Sequence, residues 1–339
     1  MTPFRDSSPL LGDVAALRRR MAEDGYLFLP SLLPNSAAND VQQRLGAIVR
    51  KAGWLAADRP VEASIADPAG FCVDPDARFL AVLEDINRVF EFHALGHHPA
   101  LLTFFGRFLG DTVLVHPKGL PRFIFPGRPE YTTPAHQDFP NIQGCEDVYT
   151  AWIPLIDCPH LVGGLQIAAG SHTMGVLDFD LGNGVGGVEI PDPLDGRWVG
   201  GPFGVGDVLV FHSMVVHKGI ANRSDRLRMS VDIRYQRLGD PFCIRNADKP
   251  YGRPDTWEAM AAGWTAAQRA QLFRYWERMP IRPIAFDSRW FDRRDALGFA
   301  YGEKGDGRAR SVLLRIVARD ADTAKQTRAQ ALLDRLDAS

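Results

Sequence analysis

Between about residues 111 and 238 the sequence breaks into short apolar runs punctuated by glycine, proline and aspartate: RFIFPG, VYTAWIPLI, GGLQIAAGSH, VLVFHSMVVHKG and LRMSVDIRYQ. Runs of this length, rich in β-branched and aromatic residues and bounded by turn formers, specify many short strands. Such strands bury their apolar faces by packing as a β-sandwich or by closing into a barrel. Residues 206–237, GDVLVFHSMVVHKGIANRSDRLRMSVDIRYQR, read as one β-hairpin turning near Asn222 and Arg223. In that register His217 lies opposite Arg228, and paired residues carry their side chains on the same face. A neutral imidazole beside a fixed guanidinium makes little sense as packing. It makes sense if a metal sits on the histidine and an anionic ligand bridges metal and arginine.

The flanks have a different period. Leu11, Val14, Leu17 and Met21 predict a helix over 10–24, and a second is expected over 34–51 with Ser36 or Asn39 as cap. Residues 60–75, rich in proline and aspartate, read as a loop. Helices are expected over 76–92 and 98–108, then a strand over 112–116. Residues 178–205 read as a long mobile loop, and their GNGVGG is not a phosphate loop because no GxxxxGK[ST] follows. Helical pattern returns over 256–278 and 321–338. Without repeats or a clear linker, one domain over 1–339 is expected: a helical N-terminal region over 1–110, a β-rich core about 111–238 and a helical extension over 239–339.

Composition narrows the function. The chain has 339 residues, 45% of them apolar, and a net charge of −2, so it buries a sizeable core and carries no basic block for nucleic acid. No apolar run reaches the length of a membrane span, and the first residues lack the apolar core of a signal peptide. The 4 cysteines (Cys72, Cys145, Cys158, Cys243) show no CxxC spacing. Reduced thiols in a cytoplasmic protein acting on a small molecule are therefore expected.

The chemistry rests on His136 and Asp138. Residues i and i+2 of an extended segment project to the same side, so both can reach one metal. His217, on a later strand, completes a facial triad of two histidines and one carboxylate, a set that leaves positions open and favours ferrous iron. Iron activates O2 with the help of an electron-donating α-keto acid, whose far carboxylate wants an arginine.

These residues resemble the phytanoyl-CoA dioxygenase family of Fe(II)- and 2-oxoglutarate-dependent oxygenases. The likeness runs over roughly residues 10–240, from EDGYLFLP through His136-x-Asp138 and the GSH at 170–172 to GDVLVFHSMVVHKGIANRSDRLR. In that family an arginine eleven residues after the second histidine binds 2-oxoglutarate, which maps here to Arg228 after His217. The resemblance also places Trp152 beside the cosubstrate, although a core aromatic is an equal reading. Ala169 stands where a proline usually precedes the GSH. The implied class is mainly β with flanking α-helices, built on a double-stranded β-helix (a cupin-like jelly roll). The implied reaction converts O2 and 2-oxoglutarate to succinate and carbon dioxide while hydroxylating a C–H bond. Asp138 favours hydroxylation over halogenation, since halogenating relatives carry a small residue there. The substrate class expected is a small metabolite or natural-product intermediate.

Other residues keep two readings. Arg226 competes with Arg228 as anchor. On regular alternation Ser230, Asp232 and Arg234 share the face of Arg228, and with Gln166 and Arg122 they are candidate substrate contacts; an internal Asp232–Arg234 network is the alternative. Lys118, Arg122 and Arg128 read as solvated loop charges, with an acidic substrate or the near end of 2-oxoglutarate as their alternative partner; His212 and His172 read as structural, and His97 and His98 as surface residues. Desaturation, epimerisation or cyclisation with the same cofactors, or metal binding without turnover, are the competing functions.

Overall fold

The structure is a computed structural model and describes residues 2–182, 186–191, 194, 196–251 and 256–338. Its strands are β1 (Thr2–Pro3), β2 (Tyr26–Leu29), β3 (Val113–Val115), β4 (Leu120–Ile124), β5 (Tyr149–Pro154), β6 (Leu165–Ala168), β7 (Asp180–Leu181), β8 (Val188–Glu189), β9 (Trp198–Gly200), β10 (Val208–His212), β11 (His217–Gly219), β12 (Arg228–Arg237), β13 (Pro241–Cys243) and β14 (Arg282–Ile284). The helices are α1 (Val14–Asp24), α2 (Asn35–Lys51), α3 (Ala77–Asn87), α4 (Phe90–Leu95), α5 (Pro99–Leu109), α6 (Phe139–Ile142), α7 (Trp257–Met260), α8 (Ala266–Leu272), α9 (Arg289–Glu303), α10 (Arg310–Arg319) and α11 (Thr323–Ala338).

Two sheets form the double-sheet jelly roll. One has the order β1-β9-β6-β11; the other runs β2-β10-β5-β12, with β3 and β4 sharing the far edge of β12. β10 is the sequence VLVFH, buried at every residue, as its unbroken apolar run requires. β12 is buried along nearly its whole length despite alternating apolar and polar residues. Its apolar set faces the helical layer: Tyr235 stacks on Phe105 of α5 at 3.8 Å and donates its hydroxyl to Gly96 O at 2.9 Å. Strand alternation then turns Arg228, Ser230, Asp232 and Arg234 inward, between the sheets. The larger hydrophobic core packs the outer face of this sheet against α1–α5, and between the sheets polar residues share the space with Trp152, Phe203 and Phe211.

The single hairpin expected over 206–237 does not form. β10 and β12 lie in one sheet with β5 between them, while β11 pairs with β6 in the other sheet. His217 is paired with Ile167, and Arg228 with Ile124, so the two are not ladder neighbours. The reason is two sheet-to-sheet crossings. Ser213 N–H is taken by Val148 O and Val216 N–H by Ser171 Oγ, which fixes the first. Asn222 Nδ2 donates to Ile124 O and Arg226 O, at 3.0 and 2.7 Å, which closes the second as a loop rather than a tight turn.

Residues 178–205, expected as one loop, contain β7, β8 and β9; residues 183–185 of GNGVGG, with 192, 193 and 195, lie outside the described residues. The helix expected over 76–92 is broken into α3 and α4, where Asn87 Nδ2 bonds Leu83 O and Tyr251 O. The one expected over 256–278 is split into α7 and α8, because Thr265 opens α8 with a capping box. α2 starts at Asn35 behind Pro34, so neither Ser36 nor Asn39 caps it. Among the described residues no helix is long and apolar enough to cross a membrane.

Gly25 ties the N-terminal helix to this frame. It ends α1 at φ +77°, and a Cβ there would lie 2.5 Å from His172 Nδ1 and 2.9 Å from Val215 Cγ2. Gly25→Ala is expected to destabilise by about 1–3 kcal/mol through strain and collision. Gly12→Ala, with open space around it, should stay within about 0.5 kcal/mol. Urea unfolding of both variants checks this, and equal midpoints would contradict it.

Candidate metal centre and cosubstrate site

His136 sits on an extended segment that continues the smaller sheet beyond β11. His136 N–H donates to His217 O and His217 N–H to His136 O, both at 3.0 Å, and the two rings stand 4.2 Å apart. Two residues later Asp138 opens α6, its carbonyl accepting from Asn141 N–H and Ile142 N–H. One ligand atom from each of His136, Asp138 and His217 lies within 4.8 Å of the others.

Each donor is aimed by a neighbour. His136 Nδ1 is 2.9 Å from Pro134 O and His217 Nδ1 is 3.2 Å from Val215 O. Donation of Nδ1–H to these carbonyls leaves both Nε2 lone pairs for a metal. Asp138 Oδ2 accepts from Thr150 Oγ1 at 2.9 Å and from Arg234 Nη2 at 3.3 Å. Its Oδ1, 3.8 Å from His136 Nε2, is the oxygen left to bind one metal position. Burial pushes the His136 imidazole down to about 3 and also lowers that of His217, so both rings are neutral. Burial alone would raise the Asp138 carboxyl, but Arg234, followed by His217, His136 and Arg122, holds it well below the usual carboxylate range. Two neutral imidazoles and one carboxylate fit a divalent metal without proton release.

Residues silent in the sequence complete the frame. Thr150 and Gln137 are buried; Gln137 Nε2 bonds Gly175 O and Met214 O, and its Oε1 accepts from Leu177 N–H. The GSH segment acts through Ser171, which holds the strand entering His217. His172 bonds Ala22 O, His212 faces Asp147 at 3.6 Å, and His98 caps α5 through Ala100 N–H. His97 is half-buried and packs on Tyr275 at 4.7 Å, so it is not a freely exposed surface residue. The only signal for Thr150 was its place two residues before Trp152 on a strand facing the triad.

Arg228 is 2% exposed. Its Nη1 donates to Gly164 O at 2.9 Å, its Nε has no partner, and no carboxylate pairs with it among the described residues. Burial pushes its guanidinium down to about 10. Ser230 Oγ, next on the same face, is buried and also unpartnered. An isolated buried cation beside an unsatisfied hydroxyl is the environment of an absent anion. Arg226 points elsewhere, to Ala63 O and Asp157 O at 3.3 Å each, because its side chain is taken by the loop.

Trp152 is fully buried, on the same face of β5 as Thr150, and packs on Phe203 at 4.6 Å. Asp232 pairs with Arg122 at 2.8 Å and Arg234 with Asp138, so no Asp232–Arg234 pair forms. Gln166 is paired with Lys218, one residue out of phase with the Ile167–His217 pair, and strand alternation sets it on the opposite face from His217. His136, Asp138, Arg122 and Arg234 line one cavity of about 220 Å³, open to solvent. Of the loop charges, Arg128 lies over Phe71 at 4.6 Å, whereas Lys118 lines the cavity and bonds Asp248.

Thr150→Val keeps the shape of the side chain and removes the bond to Asp138. Loss of a bond that orients a ligand is expected to weaken Fe(II) affinity by about 10–100-fold with little change in melting temperature. Anaerobic competition with a metal-binding dye measures this, and unchanged affinity would contradict it.

The family model for phytanoyl-CoA dioxygenase matches residues 21–230. A 1-deoxypentalenic acid 11-beta-hydroxylase of Streptomyces exfoliatus is 31% identical over 261 residues, covering 70% of this chain and 86% of that protein. The protein of the same name from Streptomyces arenae is 29% identical over 249 residues, covering 69% and 84%. Among solved structures, the epimerase SnoN in complex with Fe3+, alpha ketoglutarate and nogalamycin RO superposes with TM-score 0.50 at 19% identity, covering 72% of this chain and 93% of that one. The non-heme monooxygenase ThoJ does so with TM-score 0.50 at 18% identity, covering 95% and 100%.

Proposed function

The chain belongs to the phytanoyl-CoA dioxygenase family of Fe(II)- and 2-oxoglutarate-dependent oxygenases, and on that premise we propose that it hydroxylates an aliphatic C–H bond of a small metabolite or natural-product intermediate. The observation that carries this reading is Arg228, a fully buried guanidinium with no carboxylate partner among the described residues. It and the unpartnered Ser230 hydroxyl receive the far carboxylate of 2-oxoglutarate, and His136, Asp138 and His217 hold iron. Iron and 2-oxoglutarate supply the oxidising chemistry: one oxygen atom of O2 enters the C–H bond and the other enters succinate, with release of carbon dioxide.

The chain's own groups orient and insulate. Thr150 and Arg234 fix the Asp138 carboxylate so that it binds through one oxygen. Phe211 packs on the His217 ring at 4.5 Å and excludes water from its far side. Trp152 and Phe203 fill the interior beside the cosubstrate. Retention of Asp138 leaves no ligand position for a halide. The similarity to two proteins named as hydroxylases supports hydroxylation over epimerisation or cyclisation.

Incubation with Fe(II), 2-oxoglutarate, O2 and pooled metabolites is expected to give succinate and a product heavier by one oxygen atom. Asp138→Asn should reduce turnover at least about 10³-fold, since a site lacking a ligand charge holds the ferrous centre poorly. Product lighter by two hydrogens, or isomeric with substrate, would replace hydroxylation by desaturation or by epimerisation or cyclisation. No succinate from any pool would overturn the reading.

A further inference from the structure

The cavity that contains His136 and Asp138 is walled by the segment of the chain beyond the family match. Arg245, Arg294, Arg315 and Arg319 all line it, together with Lys118. Their counter-charges fall short. Arg315 and Arg319 share one carboxylate, Asp74. Lys118 takes Asp248, and the side chain of Arg245 forms no hydrogen bond or ion pair among the described residues. Arg294 is matched by Asp295, which it shares with Lys325, itself also on Asp320. Deeper in, Arg122 and Arg234 already have Asp232 and Asp138. Among the described residues the wall therefore holds two more cations than carboxylates, in the Arg315–Arg319–Asp74 and the Lys118–Arg245–Asp248 groups.

Arg245 is also held in place without being neutralised. Its guanidinium lies against the adjoining rings of Phe286 and Phe291, at 4.1 and 4.4 Å, which holds it in place while leaving donors free. A guanidinium fixed in this way presents a preorganised fork for a carboxylate or phosphate. The same cavity has an apolar side at Leu120, Ile142 and Val188. A wall with excess positive charge facing an apolar side fits a molecule with an anionic end and an apolar body.

We propose that the substrate is an amphipathic organic anion whose oxyanion group, carboxylate or phosphate, is bound by Arg245 and Lys118 at the mouth of the metal cavity. The oxygenase reading is needed only for calling this anion a substrate. The extension beyond residue 238 then acts as a specificity element, setting the anionic end while the apolar body points to the metal.

The test is calorimetry on the full-length protein with Fe(II) and 2-oxoglutarate under argon. The probes are a size series of apolar monocarboxylates, each with its primary amide and its phosphate-ester counterpart. At least one acid or phosphate is expected to bind about tenfold or more tightly than its amide, the discrimination an ion-paired group gains over a neutral one. Arg245→Met, which keeps an apolar stem against the phenylalanines, is expected to remove that preference, and Arg245→Lys to retain part of it. Both variants are compared at matched melting temperature. Tighter binding by acids places a carboxylate on the substrate, and tighter binding by phosphates places a phosphate there. Amides binding as well as anions, no saturable binding by any probe, or an unchanged preference in Arg245→Met overturns the proposal. Anion binding without succinate formation in air keeps the anion site and rejects the oxygenase reading; succinate formation without anion preference does the reverse.

Discussion

A strand buried on both faces but polar on one is the constraint on which the rest of this structure depends. β12 presents Arg228, Ser230, Asp232 and Arg234 to the space between the sheets, where an unpaired charge costs several times what one surface ion pair returns. Two of the three charges are answered within the protein: Arg122 meets Asp232, and Arg234 meets Asp138. Arg228 is not. On the reading proposed above, 2-oxoglutarate completes the site of a guanidinium that the protein itself meets with a single carbonyl, and the hydrophobic core that packs the outer face of the sheet against α1–α5 sustains this arrangement.

The candidate metal ligands then follow from how the two sheets meet. His217 comes from the smaller sheet, His136 is hydrogen-bonded alongside it, and Asp138 leans across to Thr150 and Arg234 of the larger one. The triad is thus a joint between sheets, so residues that never touch a metal decide its geometry. Ser171 fixes the strand entering His217, Gln137 fastens the backbone between the two other ligands, and Gly25 allows the N-terminal helix to close over His172. The C-terminal extension adds a charged wall to the same cavity, from a stretch of the chain that the family pattern does not reach.

Much of this was legible in the sequence because it rests on local spacing. The i, i+2 relation of His136 and Asp138 survives in any extended segment, and the alternation of Arg228, Ser230, Asp232 and Arg234 survives in any strand. What failed depended on long-range pairing. The stretch from 206 to 237 has the composition of a hairpin, but Ser213, Val216 and Asn222 direct their hydrogen bonds to other segments and send the chain across the sandwich twice. Gln166 was misplaced for the same reason, since one residue of register decides which face a side chain takes. Thr150 and Ser171 are inconspicuous in sequence and acquire their roles only when Asp138 and Val216 arrive from elsewhere. Asp74 and Arg315, buried and paired from opposite ends of the chain, lie beyond any local pattern.

The central claim is that iron on His136, Asp138 and His217 and 2-oxoglutarate on Arg228 share one interior site. Anaerobic titration of the metal-free protein with Fe(II) and then 2-oxoglutarate tests it most directly, through the visible metal-to-ligand charge-transfer band of the chelated keto acid. The band is expected in the wild type, absent in His217→Ala, and reached in Arg228→Met only at about a hundredfold more 2-oxoglutarate, in line with the loss of a buried charge-assisted contact. A wild type that never develops the band, or one whose band is untouched by either substitution, would contradict the account.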